Sequence, residues 1–161
     1  MKISAQEEYG LRCLVQLANL RENESLTLNQ IAEREGISQA NAGKLMWLLN
    51  KAGFVQAMRG TKGGYTLARQ ANEIYLNEVI KVLDADAISN HCQSYTGVLE
   101  TCIHTGDCAI RPVIVGLHEI VQEALAHITL AELVGAESQV IETFHKIRRL
   151  EKKAVTEVLS I

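Results

Sequence analysis

The sequence predicts a mainly α fold with a small β-wing, a winged helix-turn-helix followed by a long helix for pairing with a second copy. Three observations predict it. Two helical patterns meet across Gly36, each opened by a capping residue. A glycine-rich hairpin pattern follows them directly. Further on, apolar residues recur at spacings of three and four over a stretch longer than a small domain needs for its own core.

Ile3, Tyr9, Leu11, Leu14, Val15, Leu17, Ala18 and Leu20 fall at helical spacing, and the polar run 19–25 closes this first helix. Thr27 followed by Gln30 is a capping box, in which each side chain satisfies the other's backbone N–H; it opens a helix with Leu28, Ile31 and Ala32 inward that ends at Gly36. Ser38 caps the next helix, which carries Ala42, Leu45, Met46 and Leu49 on one face and runs to Gly53. In residues 54–67, FVQAMRGTKGGYTL, two short strand-like runs flank a turn rich in glycine, the pattern of a hairpin wing. Residues 76–83 form a short helix, and 84–107 are less regular. Ile110, Val113, Ile114, Leu117, Ile120, Val121, Leu125 and Ile128 then make the long stripe, with Pro112 near the first turn, where a missing N–H costs nothing. A last helix, over about 138–159, carries Val140, Ile141, Phe144, Ile147, Leu150 and Val155. The chain thus divides into a winged helix-turn-helix (1–70), a short helix with a cysteine-bearing loop (71–108), a dimerisation helix (109–134) and a C-terminal helix (135–161).

With 161 residues, 47% of them hydrophobic, there is room for one ordinary core or a small domain plus an oligomerisation element, and not for two enzyme domains. The first ten residues, MKISAQEEYG, lack an apolar run behind a basic end, and no apolar run approaches a membrane span, so a cytoplasmic location is expected. The net charge of -3 gives no hint of nucleic acid, but its distribution does. Between Arg34 and Arg69 stand Arg34, Lys44, Lys51, Arg59, Lys62 and Arg69 against a single acid, Glu35. That segment can meet phosphate while the rest repels it.

A helix-turn-helix puts the start of its second helix into the major groove, where short polar side chains and long cations reach base edges and phosphates. Ser38, Gln39, Asn41 and Lys44 hold those positions here. On the wing, Arg59, Thr61 and Lys62 sit among glycines that let the backbone approach DNA and place a guanidinium in or beside the minor groove. Double-stranded DNA is the expected partner. A cluster of cations can also be merely a solvated face, as is expected of Lys146, Arg148, Arg149, Lys152 and Lys153 in the last helix.

Of four cysteines, Cys13 falls beside the apolar face of the first helix and reads as a buried thiol. Cys92, Cys102 and Cys108, separated by nine and by five residues, lie on the flexible stretch just before the dimerisation helix. Three thiolates that converge there suit iron in a cluster, with a fourth ligand completing the set. Zinc with one further ligand and three unpaired structural thiols remain open. A thiol enzyme built on Cys102 and His104 lacks its other parts, since no phosphate-binding glycine loop, nucleophile elbow or paired-carboxylate pattern is present.

Tyr9, Ile37-Ser38, Lys51-Ala52-Gly53-Phe54-Val55, the string Arg59-Gly60-Thr61-Lys62-Gly63-Gly64-Tyr65, the cysteine trio and residues 128–134, ITLAELV, together resemble the IscR/NsrR family of iron-sulfur transcription regulators. The arginine, glycine and tyrosine string of the wing is the most specific of these. The resemblance implies a homodimer that binds an imperfect palindromic operator, usually as a repressor and sometimes as an activator. It also implies that an iron-sulfur cluster, 4Fe-4S or 2Fe-2S, held by Cys92, Cys102 and Cys108, senses redox state, iron or nitric oxide. Some members take the fourth ligand from a histidine shortly after the third cysteine, where this chain has Arg111; others take it from an acid in the first helix, which here is Glu8 and which reaches the other subunit's cluster. His91 and His104 are the alternatives to Glu8. Asn41-Ala42-Gly43 departs from the family's usual tyrosine, leucine and polar residue, so the operator sequence does not carry over.

Overall fold

A computed structural model of the protein describes residues 3–58, 63–84, 98–99, 102–104 and 106–146. Among these, the elements run α1 (Ala5–Ala18), α2 (Leu28–Glu35), α3 (Gln39–Lys51), β1 (Val55–Met58), β2 (Gly64–Leu67), α4 (Leu76–Leu83) and α5 (Ile110–Ala126). A further helix, α6, occupies 137–146. The mainly α winged architecture is the one expected.

Local chemistry sets the helix starts. At α1 the Ser4 hydroxyl accepts from Glu7 N at 3.2 Å, while the Glu7 carboxylate accepts from Ser4 N at 2.7 Å. At α2 the Thr27–Gln30 box closes in the same way. Such a cap satisfies donors the helix cannot, and contributes about 1 kcal/mol. Gly36 ends α2 at φ 64°, a left-handed turn that a β-carbon disfavours, and so permits the sharp reversal into α3.

The core lies where α1, α2, α3 and α4 meet. Leu14, Ile31, Leu45, Met46, Leu49, Val79 and Leu83 have no solvent exposure there, and Cys13 sits among them. β1 and β2 pair antiparallel, with Val55 opposite Leu67 and Met58 opposite Gly64, and Phe54 and Val55 root the hairpin in the core. The wing is held from its other edge as well: Leu26 donates to the Tyr65 carbonyl at 3.1 Å and Tyr65 donates to the Leu26 carbonyl at 2.7 Å.

α5 has no buried residue of its own. Ile110, Val113, Leu117 and Ile120 are 60–66% exposed, along one stripe about 15 Å long. The helix stops at Ala126. Residues 128–133, which the sequence groups with that helix, return to the winged core: Leu76 N donates to Ile128 O at 2.9 Å, Leu130 N donates to Ile74 O at 2.8 Å, and Leu130 is fully buried.

Candidate nucleic-acid interface and cysteine segment

α3 turns Ala42, Leu45, Met46 and Leu49 into the core, which leaves Ser38, Gln39, Asn41 and Lys44 exposed on its opposite and N-terminal sides. Their freedom differs. Ser38 is the N-cap, its hydroxyl accepting from Asn41 N at 3.2 Å, so it fixes the start of the helix. The Gln39 amide donates to the Asn29 side chain of α2, and Asn29 in turn donates to Glu33 at 2.6 Å. This chain of amides orients Gln39 and leaves its carbonyl oxygen as an acceptor. Asn41 and Lys44 stand exposed on the first two turns, and among the described residues their side chains have no hydrogen-bond partner of this kind.

The wing residues Arg59, Thr61 and Lys62 lie outside the described residues. The strands that carry them are placed, because Met58 pairs with Gly64 at the end of the ladder. Gly64 has a second task there. A β-carbon on it would lie 2.7 Å from the Leu26 carbonyl oxygen, so glycine is what lets the wing close against the loop before α2.

Composition and helix periodicity also hold a signal that the sequence reading passes over. Ala40, Lys44, Trp47 and Lys51 fall at spacings of four, three and four, opposite the buried face of α3. Trp47, the chain's one tryptophan, is 59% exposed, with the Lys51 ammonium 5.2 Å from its ring centroid.

The cysteine segment joins the end of α4 to the start of α5. Cys102 and Cys108 are free, partly exposed thiols, whereas Cys92 and His91 lie outside the described residues. Arg111 of α5 donates to the His104 carbonyl at 2.9 Å, tying the segment to the pairing helix. At its other end, Gln6 of α1 donates to the Leu83 carbonyl at 2.7 Å, where α4 gives way to the segment. Glu8, half-exposed on α1, pairs with Arg12 at 2.7 Å. The described residues do not bring Glu8, Cys102 and Cys108 together, and no group of three potential metal ligands occurs among them. At Cys13, burial, with the Glu35 charge adding to it, pushes the thiol's pKa up to about 12, so it stays a neutral thiol.

A helix-turn-helix with a polar and basic outer face on its second helix, braced by a wing, defines a winged-helix DNA-binding transcription regulator. The chain belongs to the Rrf2 family, described as iron-dependent transcriptional regulators, whose model matches residues 3–136. The resemblance read from the sequence is therefore correct at the level of family. Among solved structures, IscR of T. potens is 30% identical over 83% of this chain and 85% of its own, with a TM-score of 0.64. CymR, the global cysteine regulator of B. subtilis, is 29% identical over 83% and 95%, with a TM-score of 0.62. The oxidized form of Staphylococcus aureus CymR is 27% identical over 84% and 98%, with a TM-score of 0.66. No helix among the described residues is long and apolar enough to cross a membrane.

Proposed function

We propose that the protein is a homodimeric, cytoplasmic repressor that binds an imperfect palindromic operator and whose affinity for it is set by an iron-sulfur cluster responding to redox state, iron or nitric oxide. Ser38, Gln39, Asn41 and Lys44 enter the major groove, and Arg59, Thr61 and Lys62 of the wing meet the adjacent backbone and minor groove. Cys92, Cys102 and Cys108 supply three thiolates, and Glu8 of the partner subunit supplies the fourth ligand, an oxygen in place of its pairing with Arg12. A cluster held by such a set would supply one-electron redox chemistry, and its bond to the Glu8 oxygen would be easier to break than its bonds to the thiolates.

The observation that carries this reading is the position of the cysteine segment. It is the covalent link between the DNA-binding unit and the pairing helix, and it is held at both ends, by Gln6 on Leu83 O and by Arg111 on His104 O. Two of its thiols are accessible and free, and the family is described as iron-dependent. Ligation that drew these thiols and Glu8 of the partner subunit together would change how one protomer's α1 sits relative to the other's α5, hence how the two wings are spaced over the operator. Neither 4Fe-4S nor 2Fe-2S is preferred by these residues.

The likeness to CymR, described as a cysteine regulator, favours a second reading in which there is no cluster, or zinc only, and thiol oxidation or a partner protein switches DNA affinity. Anaerobic purification separates the two. A brown protein with visible absorption, lost on Cys102→Ala or Cys108→Ala, supports the cluster; a colourless protein whose DNA affinity follows thiol oxidation supports the second reading. With Glu8→Ala the cluster is expected to assemble, to be more labile, and to lose its effect on operator affinity. A mutant that kept the full difference between loaded and unloaded forms would remove Glu8 from the ligand set in favour of His91 or His104.

A further inference from the structure

The outward stripe of α3 alternates charge and apolar surface: Lys44, then Trp47, then Lys51, one turn apart each. All three are exposed, and the buried residues of the helix lie directly opposite. A large indole at this place gains nothing from the protein's own core. A single exposed apolar residue is ordinary on a protein surface, but this one stands between two cations on the helix face already assigned to DNA. The wall of a DNA groove has the complementary alternation, with apolar deoxyribose between successive phosphates.

Depth along the helix decides what the ring meets. Ser38, Gln39 and Asn41 belong to the end that enters the groove, whereas Trp47 lies about 10 Å further along the axis than Ala40, where a helix leaves the bases and passes the backbone. The Lys51 ammonium 5.2 Å from the ring centroid sets the ring against a cation that a phosphate can recruit, while its stem stays on the indole. We propose that Trp47 is a sequence-independent anchor, packing its indole against the sugar-phosphate wall of the major groove while Lys44 and Lys51 take the flanking phosphates. The inference rests on α3 being the groove helix, as put forward above.

Because Trp47 is the chain's one tryptophan, its emission reports this contact directly. The probe is a mixed-sequence DNA duplex of about three helical turns, titrated into the full-length protein at low salt, since an anchor of this kind needs no operator. Expected are a change in indole emission and protection from acrylamide on binding. Trp47→Ala should weaken binding about tenfold, as burial of roughly 50 Å² of apolar surface implies, with an unchanged salt slope because no counterion is released. Trp47→Phe should recover much of that loss, and Lys44→Ala should instead lower the salt slope by about one. If the protein bound the duplex with a normal salt slope but left the emission and quenching of Trp47 unmoved, the anchor would be overturned while DNA binding by α3 stood. Emission that changed with protein concentration and not with DNA would overturn it in favour of a contact between copies. Failure to bind any duplex would bring down the DNA reading itself, and the anchor with it. The emission titration uses the unmodified protein, so the result stands even if a variant folds poorly.

Discussion

Cys13 has no solvent exposure, and its thiol is held neutral by burial with the Glu35 charge as a second cause. Cys102 and Cys108 are partly exposed. An alkylating reagent acts on the thiolate, so brief treatment of the reduced, metal-free protein should label Cys102 and Cys108 and spare Cys13 until the protein is unfolded; mass spectrometry of the peptides reads this out. The raised pKa is also a statement about stability. Below about 9, the thiol's ordinary value, Cys13 is protonated both folded and unfolded and its contribution is fully present; as pH rises from there towards about 12 the unfolded chain loses the proton first, and that contribution is lost. Thermal unfolding on either side of pH 9 should show a shallower alkaline decline for Cys13→Ala than for the native chain. Equal declines would mean that Cys13 is not the group responsible.

At the scale of elements, the wing depends on a close approach. β2 pairs with β1 on one side and with Leu26 on the other, through Tyr65. Gly64→Ala would put a β-carbon 2.7 Å from Leu26 O and 2.8 Å from its carbonyl carbon, and backbone atoms cannot rotate away as a side-chain end can. The expected cost is about 1–3 kcal/mol, as for other overpacked sites, or a wing displaced from the loop that braces it. A lower melting temperature together with weaker DNA binding is the expected result. An unchanged melting temperature with unchanged binding would show that the wing closes some other way. A similar approach joins α1 and α4, where a β-carbon on Gly10 would run into the Leu83 side chain, beside the Gln6 bond to Leu83 O. The root of the cysteine segment is thereby pressed onto the helix that carries Glu8.

For the whole molecule, α5 is the element with an unmet need. Its seventeen residues include none that is buried, while Ile110, Val113, Leu117 and Ile120 stand in water along one side. Under the proposed homodimer, a second copy lying antiparallel about a two-fold axis would cover the same stripe on both chains. Leu117→Glu places an unpaired charge in that contact and should raise the dimer dissociation constant at least tenfold, roughly, as measured by sedimentation or light scattering. A dissociation constant that did not move would transfer the pairing surface to α6. Residues 128–130 are hydrogen-bonded to Ile74 and Leu76, so the chain that leaves α5 is tied to the winged core by backbone.

Short-range chemistry made much of this legible. The capping residues Ser38 and Thr27, the terminator Gly36 and the spacing of Leu45, Met46 and Leu49 act within a turn or two, so periodicity and residue type alone placed α2, α3 and the hairpin that follows. The exposed, polar start of α3, and the buried character of Cys13, came from the same pattern. Contacts between distant segments were not legible. Nothing around Gly64 in the sequence says that Leu26 will lie against it, nothing around Thr129 says that it will bridge to Tyr75, and an exposed Trp47 looks in sequence like one more apolar residue of a helix. Sequence by itself determined the winged helix-turn-helix and the family, because these rest on local propensity and on a contiguous motif. Only the tertiary structure decided how the wing is braced, that the chain after α5 returns to the core, and which side of α3 carries an unburied indole, because each of those depends on which surfaces the packed core has already covered.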